Sequence, residues 1–373
     1  MRVPLVDLAA QDAPLIEEAL GAIAQVAREG RFVLGPVVDA FERWLAGACT
    51  TATAVGVASG TDAIELALRA LDVGPGDAVV TPALSFIACA EAIVATGARP
   101  VFCDVDPVTL NATERTFADA IVRAQRAGMR VRALVPVHLF GLCAPVSTLG
   151  ELARTHDVAI VEDAAQALGA RDEAGRAAGA LGVAGCFSFF PTKNLGAWGD
   201  GGAVVTSRPD VAERVRRLRA HGAVRQYVHV EFGRNSRLDA VQAAVLLAKT
   251  RRLADWQRAR ERLAARYREA LAGLPLALPE EPPAPAVHAW HAFVVQCDWR
   301  ARLAEHLRAR GVETRVYYPV PLHRQPCFEV LGEPALPHAE AAAERALALP
   351  FFAAMSDAQV DYVVSEVTRF FRG

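Results

Sequence analysis

Short apolar runs alternate with longer amphipathic segments along the first 206 residues of the chain. The runs are rich in valine and alanine and are bounded by glycine, proline or acidic residues, as is typical of buried strands. The segments between them carry apolar residues at helical spacing, as in GTDAIELALRALD. This pattern predicts seven strands: 53–58, 77–82, 99–105, 133–141, 158–165, 185–190 and 202–206.

Strands that alternate with helices favour crossover connections, which produce a mainly parallel sheet with helices on both faces. The predicted fold class is therefore α/β. Ligands of such sheets bind beyond the carboxyl ends of the strands. Four chemically distinctive positions fall at predicted strand ends: Gly60–Thr61, Phe86, Asp163 and Ser188. We expect a ligand site where these ends meet.

The pattern changes after residue 249, where a long charged helix is predicted over 251–273 and a proline-rich loop over 278–286. Beyond it we predict strands near 292–297 and 313–318, and helices near 299–310, 339–347 and 357–371. This mixture is typical of a smaller α+β domain. We predict a large domain over residues 1–250 and a small C-terminal domain over residues 251–373.

Composition and charge exclude several classes of protein. Hydrophobic residues make up 53% of the 373 residues, which argues against disorder, and the formal net charge of −2 gives no basic signature for nucleic acid or anionic membranes. No apolar run approaches the ~20 residues of a membrane helix, and MRVPLVDLAAQDAP lacks the apolar core of a secretion signal. We expect a cytoplasmic protein without a nucleic-acid or membrane partner.

The seven cysteines are scattered, several of them in apolar runs. Neither they nor the histidines at 138, 221, 288, 291, 306, 323 and 338 show the spacing of metal ligands, and we interpret these histidines as structural or as part of the rim of the substrate site. We therefore expect reduced, buried, structural cysteines and no metal site.

Lys193 lies in FSFFPTKNLGAWGDGGAV (187–204), where Asp200 is the one other charged residue. An amine among apolar groups loses hydration, so its pKa falls and its neutral, nucleophilic form becomes available. Such a lysine suits covalent bonding to an aldehyde cofactor. The simpler alternative is a surface lysine with its stem against apolar groups. A phosphate-clamping lysine is disfavoured, because its glycines would come before it in the sequence.

Two further features are consistent with a cofactor site. Asp163 ends an apolar strand in VEDAAQALGA, where a carboxylate can keep a ring nitrogen protonated, although a helix cap is an alternative use. Gly60 and Thr61 open a helix after a strand, which suits a phosphate, although a plain helix cap is more common. Ser188 could add a hydroxyl to that phosphate. Phe86 could stack on a flat ring or belong to the core.

With these residues in place, the chain resembles the DegT-type nucleotide-sugar aminotransferases, which are fold-type I enzymes dependent on pyridoxal phosphate. The resemblance covers nearly the whole length, and it is closest to the subgroup that aminates C3 of a 3-keto nucleotide sugar. Six motifs carry it in the family order: RFVLGPVVDAFE (31–42), ASGTDAIELAL (58–68), VEDAAQALGA (161–170), FSFFPTKNLGAWGDGGAV (187–204), GRNSRLDAVQAAVLLAK (233–249) and VYYPVPLHRQP (316–326).

The resemblance implies a role for each residue of the cofactor site. Lys193 would bind the cofactor aldehyde, and Asp163 would pair with the ring nitrogen. Gln166 would contact the phenolic oxygen, and Phe86 would stack on the ring. The phosphate would be held by Gly60, Thr61, Ser188 and, from the neighbouring subunit of a homodimer, Asn235.

The resemblance also implies a substrate site lined by His229, Arg237, Tyr317 and Tyr318. Many family members have His-Tyr-Pro where this chain has Tyr317-Tyr318-Pro319. Arg237 would pair with the donor carboxylate, the sugar diphosphate or a sugar carboxylate, and the sequence leaves these three open.

The implied reaction moves the amino group of L-glutamate to C3 of a UDP- or dTDP-linked keto sugar. The product would be a 3-amino sugar for surface polysaccharide or natural-product glycosylation. Two alternatives stay open: an aminotransferase for a 4-keto nucleotide sugar or a cyclitol, and a regulatory protein that binds the cofactor without turnover. Family members that act as dehydratases carry histidine in place of the lysine, so Lys193 argues against that activity.

Overall fold

The structure is a computed structural model that describes residues 1–372. The helices are α1 (Leu8–Asp12), α2 (Ile16–Glu29), α3 (Pro36–Ala48), α4 (Gly60–Ala70), α5 (Ala88–Ala95), α6 (Glu114–Arg126), α7 (Val146–His156), α8 (Pro209–Leu218), α9 (Ala240–Thr250), α10 (Leu253–Ala270), α11 (Arg300–Ala309), α12 (Pro337–Arg345) and α13 (Asp357–Arg372). The strands are β1 (Thr53–Val57), β2 (Asp77–Pro82), β3 (Arg99–Cys103), β4 (Arg130–Leu134), β5 (Ala159–Asp163), β6 (Ala184–Ser188), β7 (Gly202–Thr206), β8 (Ala223–Arg225), β9 (Val228–His229), β10 (Phe293–Gln296) and β11 (Ala346–Leu349).

Seven strands form one sheet in the order β1-β7-β6-β5-β4-β2-β3. Neighbouring strands from β6 to β3 are parallel, and β7 is antiparallel to both β1 and β6. Alternate residues of a strand point to opposite faces of the sheet. In β2, Val79 packs in the core cluster that contains α4, α5 and α8, whereas Val80 packs in the cluster of α6 and α7. Helices therefore cover both faces, which confirms the predicted α/β class.

One predicted strand lies in a different place. The sequence predicts a strand over 133–141, but β4 ends at Leu134, and residues 139–141 form a 3-10 turn instead. Pro136 has no N–H for a sheet ladder, and Phe140 has a positive φ of 57°. The apolar run therefore leaves the sheet and passes over its carboxyl edge, where the candidate site lies.

The last third of the chain contains a second, two-stranded sheet of β10 and β11, with Phe293 paired to Leu349. The predicted helix over 339–347 is wrong at its end, because ALAL at 346–349 is strand β11. Pairing with β10 overrides the helix propensity of alanine and leucine. The predicted strand over 313–318 is also wrong, since only Arg315 makes an isolated bridge there, to Ala348.

Side chains of α10, α11, α13, β10 and β11 share one apolar cluster, which Val3 joins. The division into two domains at residue 250 stays a prediction.

Within residues 1–372, no helix has the length and apolar character needed to cross a bilayer.

Candidate active site

The carboxyl ends of neighbouring strands meet at one cavity of about 390 Å³. Asp163 is the last residue of β5, and Ser188 is the last residue of β6. Gly60 and Thr61 form the first turn of α4, directly after β1. The residues that the sequence predicts at this cavity and that line it are Gly60, Thr61, Phe86, Asp163, Gln166, Ser188, Lys193, Tyr317 and Tyr318.

The N-terminus of α4 forms one wall of the cavity. Ser59 caps the helix, since its hydroxyl accepts a hydrogen bond from the Asp62 N–H at 3.1 Å. A Cβ atom on Gly60 would lie 2.7 Å from Cβ of Ser188, so only glycine allows the two backbones to approach this closely. Unpaired N–H groups at a helix N-terminus attract anions. This wall can therefore hold a phosphate, with the Ser188 hydroxyl beside it.

The carboxylate of Asp163 lies at the base of the cavity and is buried, with 7% of the residue exposed. Its Oδ1 accepts a hydrogen bond from the Ala165 N–H at 3.0 Å. Its Oδ2 accepts one from the thiol of Cys89 at 2.7 Å. The sequence places Asp163 but predicts only a structural role for the cysteines. The thiol contact brings together residues 74 positions apart, which no local pattern indicates.

Lys193 follows a turn in which its own N–H donates to the Phe190 carbonyl at 2.8 Å. Burial lowers the pKa of its amine below the usual value of 10.5, and the negative charge of Asp163 opposes that shift. The direction is the one expected from the apolar surroundings of the lysine. A lowered pKa increases the neutral fraction of the amine, which is the form that attacks an aldehyde.

The side-chain amide of Gln166 is held from two sides. Its Oε1 accepts a hydrogen bond from the Phe140 N–H at 2.7 Å, and its Nε2 donates to the Tyr318 hydroxyl at 3.3 Å. Burial raises the pKa of Tyr318, so the phenol keeps its proton. The ring of Phe86 lies 6.1 Å from that of Tyr318, and Phe86 lines the cavity with 55% of the residue exposed.

His291, which the sequence assigns to a structural position or to the rim of the substrate site, lines this cavity. Its Nδ1 lies 3.0 Å from Oδ1 of Asn194, the residue after Lys193. Burial lowers the pKa of His291 well below its usual range, and the positive charges of Lys193 and Arg260 lower it further. The imidazole is therefore neutral. The sequence does not indicate the contact with Asn194, because the two residues lie far apart in the chain.

Three predicted substrate or cofactor residues lie outside this cavity: His229, Asn235 and Arg237. His229 is in the short hairpin of β8 and β9, where its Nδ1 lies 2.9 Å from the His221 carbonyl oxygen. Asn235 is exposed and pairs with Ala220 through an isolated bridge. A single chain therefore does not bring these three residues to Lys193.

Across residues 1–372, no three or more histidine, cysteine, aspartate or glutamate side chains are grouped so as to hold a metal ion. The cavity does fit pyridoxal phosphate. Lys193 can bind an aldehyde, Asp163 can pair with a ring nitrogen, and the Gly60–Ser188 wall can accept a phosphate.

Comparison with known proteins agrees with this chemistry. Residues 14–368 match the model of the DegT/DnrJ/EryC1/StrS aminotransferase family. Because the match covers most of the chain, the protein belongs to this family.

The chain is similar along its whole length to several characterised proteins. It is 43% identical to the UDP-N-acetyl-3-dehydro-alpha-D-glucosamine 3-aminotransferase of Acidithiobacillus ferrooxidans, covering 100% of this chain and 98% of the relative. It is 40% identical to a pleiotropic regulatory protein of Geobacillus stearothermophilus, covering 100% and 99%. The crystal structure of S. venezuelae DesV in complex with a ketimine intermediate superposes with a TM-score of 0.94 at 44% identity, covering 100% and 99%.

Proposed function

We propose that this protein is a pyridoxal-phosphate-dependent aminotransferase that transfers the amino group of L-glutamate to C3 of a 3-keto nucleotide sugar. The observation that carries the proposal is that Lys193 and Asp163 line one cavity together with the Gly60–Ser188 wall, which can accept a phosphate. The full-length similarity to a nucleotide-sugar 3-aminotransferase supports the choice of C3. The activity belongs in the cytoplasm, in amino-sugar synthesis for polysaccharides or glycosylated natural products.

Pyridoxal phosphate supplies a carbonyl that bonds to amines and an electron-withdrawing ring. Lys193 would bind this carbonyl until the donor amine displaces it, and its freed Nζ would then take the proton from the α-carbon of the donor. Asp163 would keep the proton on the ring nitrogen. Gln166 would contact the phenolic oxygen with an amide fixed by Phe140 and Tyr318.

The substrate side of the site is completed by a second copy of the chain. In this proposal, Asn235 of one subunit reaches the phosphate held by Gly60 and Ser188 of the other. His229 and Arg237 line the nucleotide-sugar site together with Tyr317 and Tyr318. Two exposed aromatic residues of the same segment support a protein contact there, since Tyr227 is 86% exposed and Phe232 is 91% exposed.

Arg237 is the cation that we assign to an anionic group of the substrates: the donor carboxylate, the sugar diphosphate or a sugar carboxylate. Its guanidinium can bind each of them in a bidentate way. The nucleotide is UDP or dTDP. Many family members have histidine where this chain has Tyr317, and the side chain at this position affects which sugar the site accepts.

A regulatory role without turnover is the second candidate, supported by the name of the Geobacillus relative. The combination of Lys193 with Asp163 favours the enzyme, because binding alone does not require a carboxylate that keeps the ring nitrogen protonated. An aminotransferase for a 4-keto sugar or a cyclitol would require the same cofactor residues. Only a turnover assay with each acceptor distinguishes these activities from amination of a 3-keto sugar.

The test is an absorption spectrum of the purified protein with pyridoxal phosphate, before and after addition of L-glutamate. We expect the band of the lysine-bound cofactor to convert into that of the amine form, and Lys193→Ala to lack the first band. Incubation of the amine form with matched 3-keto and 4-keto nucleotide sugars, followed by mass spectrometry, then identifies the acceptor. A cofactor band that L-glutamate leaves unchanged would contradict the proposed donor and support a binding role.

A further inference from the structure

Cys89 lies on the segment that also carries Phe86. It is the second residue of α5, is fully buried, and directs its thiol into the carboxyl edge of the sheet. The predicted stacking residue and this thiol are therefore positioned by the same short piece of backbone.

The thiol is a hydrogen-bond donor to Asp163. The distance from Sγ to Oδ2 is 2.7 Å, and the other oxygen of the carboxylate is taken by the Ala165 N–H. Burial, and then the negative charge of Asp163, raise the pKa of Cys89 well above its usual value. The sulfur consequently keeps its proton and donates it to the carboxylate. Ser85, whose hydroxyl lies 3.9 Å from the sulfur, makes a much weaker contact.

We propose that Cys89 is a positioning residue, whose thiol fixes the orientation of the Asp163 carboxylate. This inference rests on the proposed function, in which Asp163 would face the ring nitrogen of pyridoxal phosphate. A carboxylate held in this orientation pairs with the protonated ring nitrogen, where the proton strengthens the electron-withdrawing effect of the ring. The other titratable groups around this carboxylate are Lys193, Cys186 and Tyr318.

Removal of the thiol should therefore have a spectroscopic effect with a defined sign. In Cys89→Ala the carboxylate is no longer held in this orientation and pairs less well with the ring nitrogen, which is therefore less protonated. The nitrogen that joins Lys193 to the cofactor then becomes more basic, because the ring withdraws less charge from it. The midpoint of the pH titration of the lysine-bound cofactor rises, and the half-reaction with L-glutamate slows about tenfold, as for the loss of one hydrogen bond to a charged group.

The experiment compares the wild type with Cys89→Ala, Cys89→Ser and the control Cys186→Ala. Cys186 is as deeply buried and also lies near Asp163, but its thiol donates no hydrogen bond to the carboxylate. Each holoenzyme is titrated by absorbance, and its half-reaction is followed by stopped flow. We expect the titration midpoint to rise and the half-reaction to slow in Cys89→Ala. Cys89→Ser should recover the wild-type midpoint at least in part, and Cys186→Ala should titrate like the wild type.

Equal midpoints and rates in Cys89→Ala and Cys186→Ala would overturn the inference and leave the thiol a space-filling role. If Cys89→Ala fails to fold, Cys89→Val, which also lacks a polar hydrogen, replaces it against the same control. Failure of the proposed function is distinguishable, because the wild type would then show no lysine-bound cofactor or no response to L-glutamate.

Discussion

The cavity residues and the segment 221–237 differ in their burial and in their contacts within one chain. Asp163 and Gln166 are buried, and each has hydrogen-bond partners on other elements. The segment 221–237 is largely exposed, and its predicted site residues do not reach the cavity. The first set is preorganised within one chain. The second set needs a second copy before it can act, in the arrangement that we propose.

This difference separates two parts of the function. Cofactor chemistry requires fixed groups, because a displaced carboxylate or amine loses its geometry with the reacting atoms. Recognition of the sugar and its nucleotide can be left to an exposed segment that contributes to the site of a second subunit. Variants of the cavity residues should therefore impair cofactor chemistry, whereas variants of segment 221–237 should impair recognition of the sugar and its nucleotide.

The largest expected effect comes from mixing two inactive proteins. Lys193→Ala lacks the nucleophile, and a chain with both Asn235→Ala and Arg237→Ala lacks the exposed contribution. If each site uses Lys193 of one subunit and Arg237 of the other, a mixed dimer contains one intact site. Random reassociation should then recover about a quarter of wild-type activity from two preparations with almost none.

The same activity assay contains the control. Mixing each inactive preparation with itself under identical unfolding and refolding conditions should recover nothing. No recovery in the mixed sample, despite heterodimers seen by native mass spectrometry, would contradict the shared site and place Arg237 with Lys193 in one chain.

Asp163→Asn tests the preorganised region next. The amide keeps the shape of the side chain but loses the charge that holds the ring proton. An adjacent opposite charge shifts a pKa by about 1–3 units, so the ring nitrogen should lose its proton more readily in this variant. The half-reaction should therefore slow about 10- to 1,000-fold. The cofactor should still bond to Lys193, as seen by absorbance. Asp200→Asn, at another acidic residue of the cavity wall, is the matched control and should lose much less activity.

Gly60→Ala should cause a smaller loss. Its new Cβ would lie 2.7 Å from Cβ of Ser188 and 3.2 Å from Cα, so the phosphate wall must move. We expect a decrease of about 1–3 kcal/mol in the free energy of unfolding and weaker binding of pyridoxal phosphate. Gly150→Ala is the control: a Cβ there meets no atom within 4 Å, and helix propensity should make it neutral or stabilising. Equal cofactor affinity in both variants would exclude the close approach at Gly60.

The smallest effect concerns the pH dependence of the cofactor-free protein. Burial lowers the pKa of Lys193, so below 10.5 the unfolded chain binds a proton at this residue more tightly than the folded chain does. Folding stability from this group therefore increases with pH, up to the usual lysine pKa. Lys193→Met should melt at a higher temperature than the wild type near neutral pH, and this difference should shrink as the pH approaches 10.5.

Lys249 offers the contrasting case, because its buried amine is paired with Asp12 at 2.8 Å. Lys249→Met would leave that carboxylate without its cation, so the melting temperature should decrease. If Lys193→Met and the wild type differ in melting temperature by the same amount at all pH values, the desolvated charge of Lys193 is not the cause of that difference.

The residue pattern was sufficient for six of the seven strands of the large sheet, to within two residues at each end, but not for β4. Valine-rich runs such as 77–82 and 202–206 match strands to the residue, because they are buried on both faces and bounded by turn residues. The pattern failed where a long-range contact decided the local structure. ALAL at 346–349 suits a helix by propensity, but it pairs with β10.

The candidate site divides in the same way. Lys193, Asp163 and the Gly60–Thr61 pair are recognisable from their neighbours in the chain, because an apolar strand followed by a turn leads to the carboxyl edge of a parallel sheet. The hydrogen bond from Cys89 to Asp163 and the position of His291 beside Asn194 depend on contacts between distant segments. Only the folded chain determines them, since a thiol or an imidazole has no local pattern that distinguishes a core position from a contact with a residue of the candidate site.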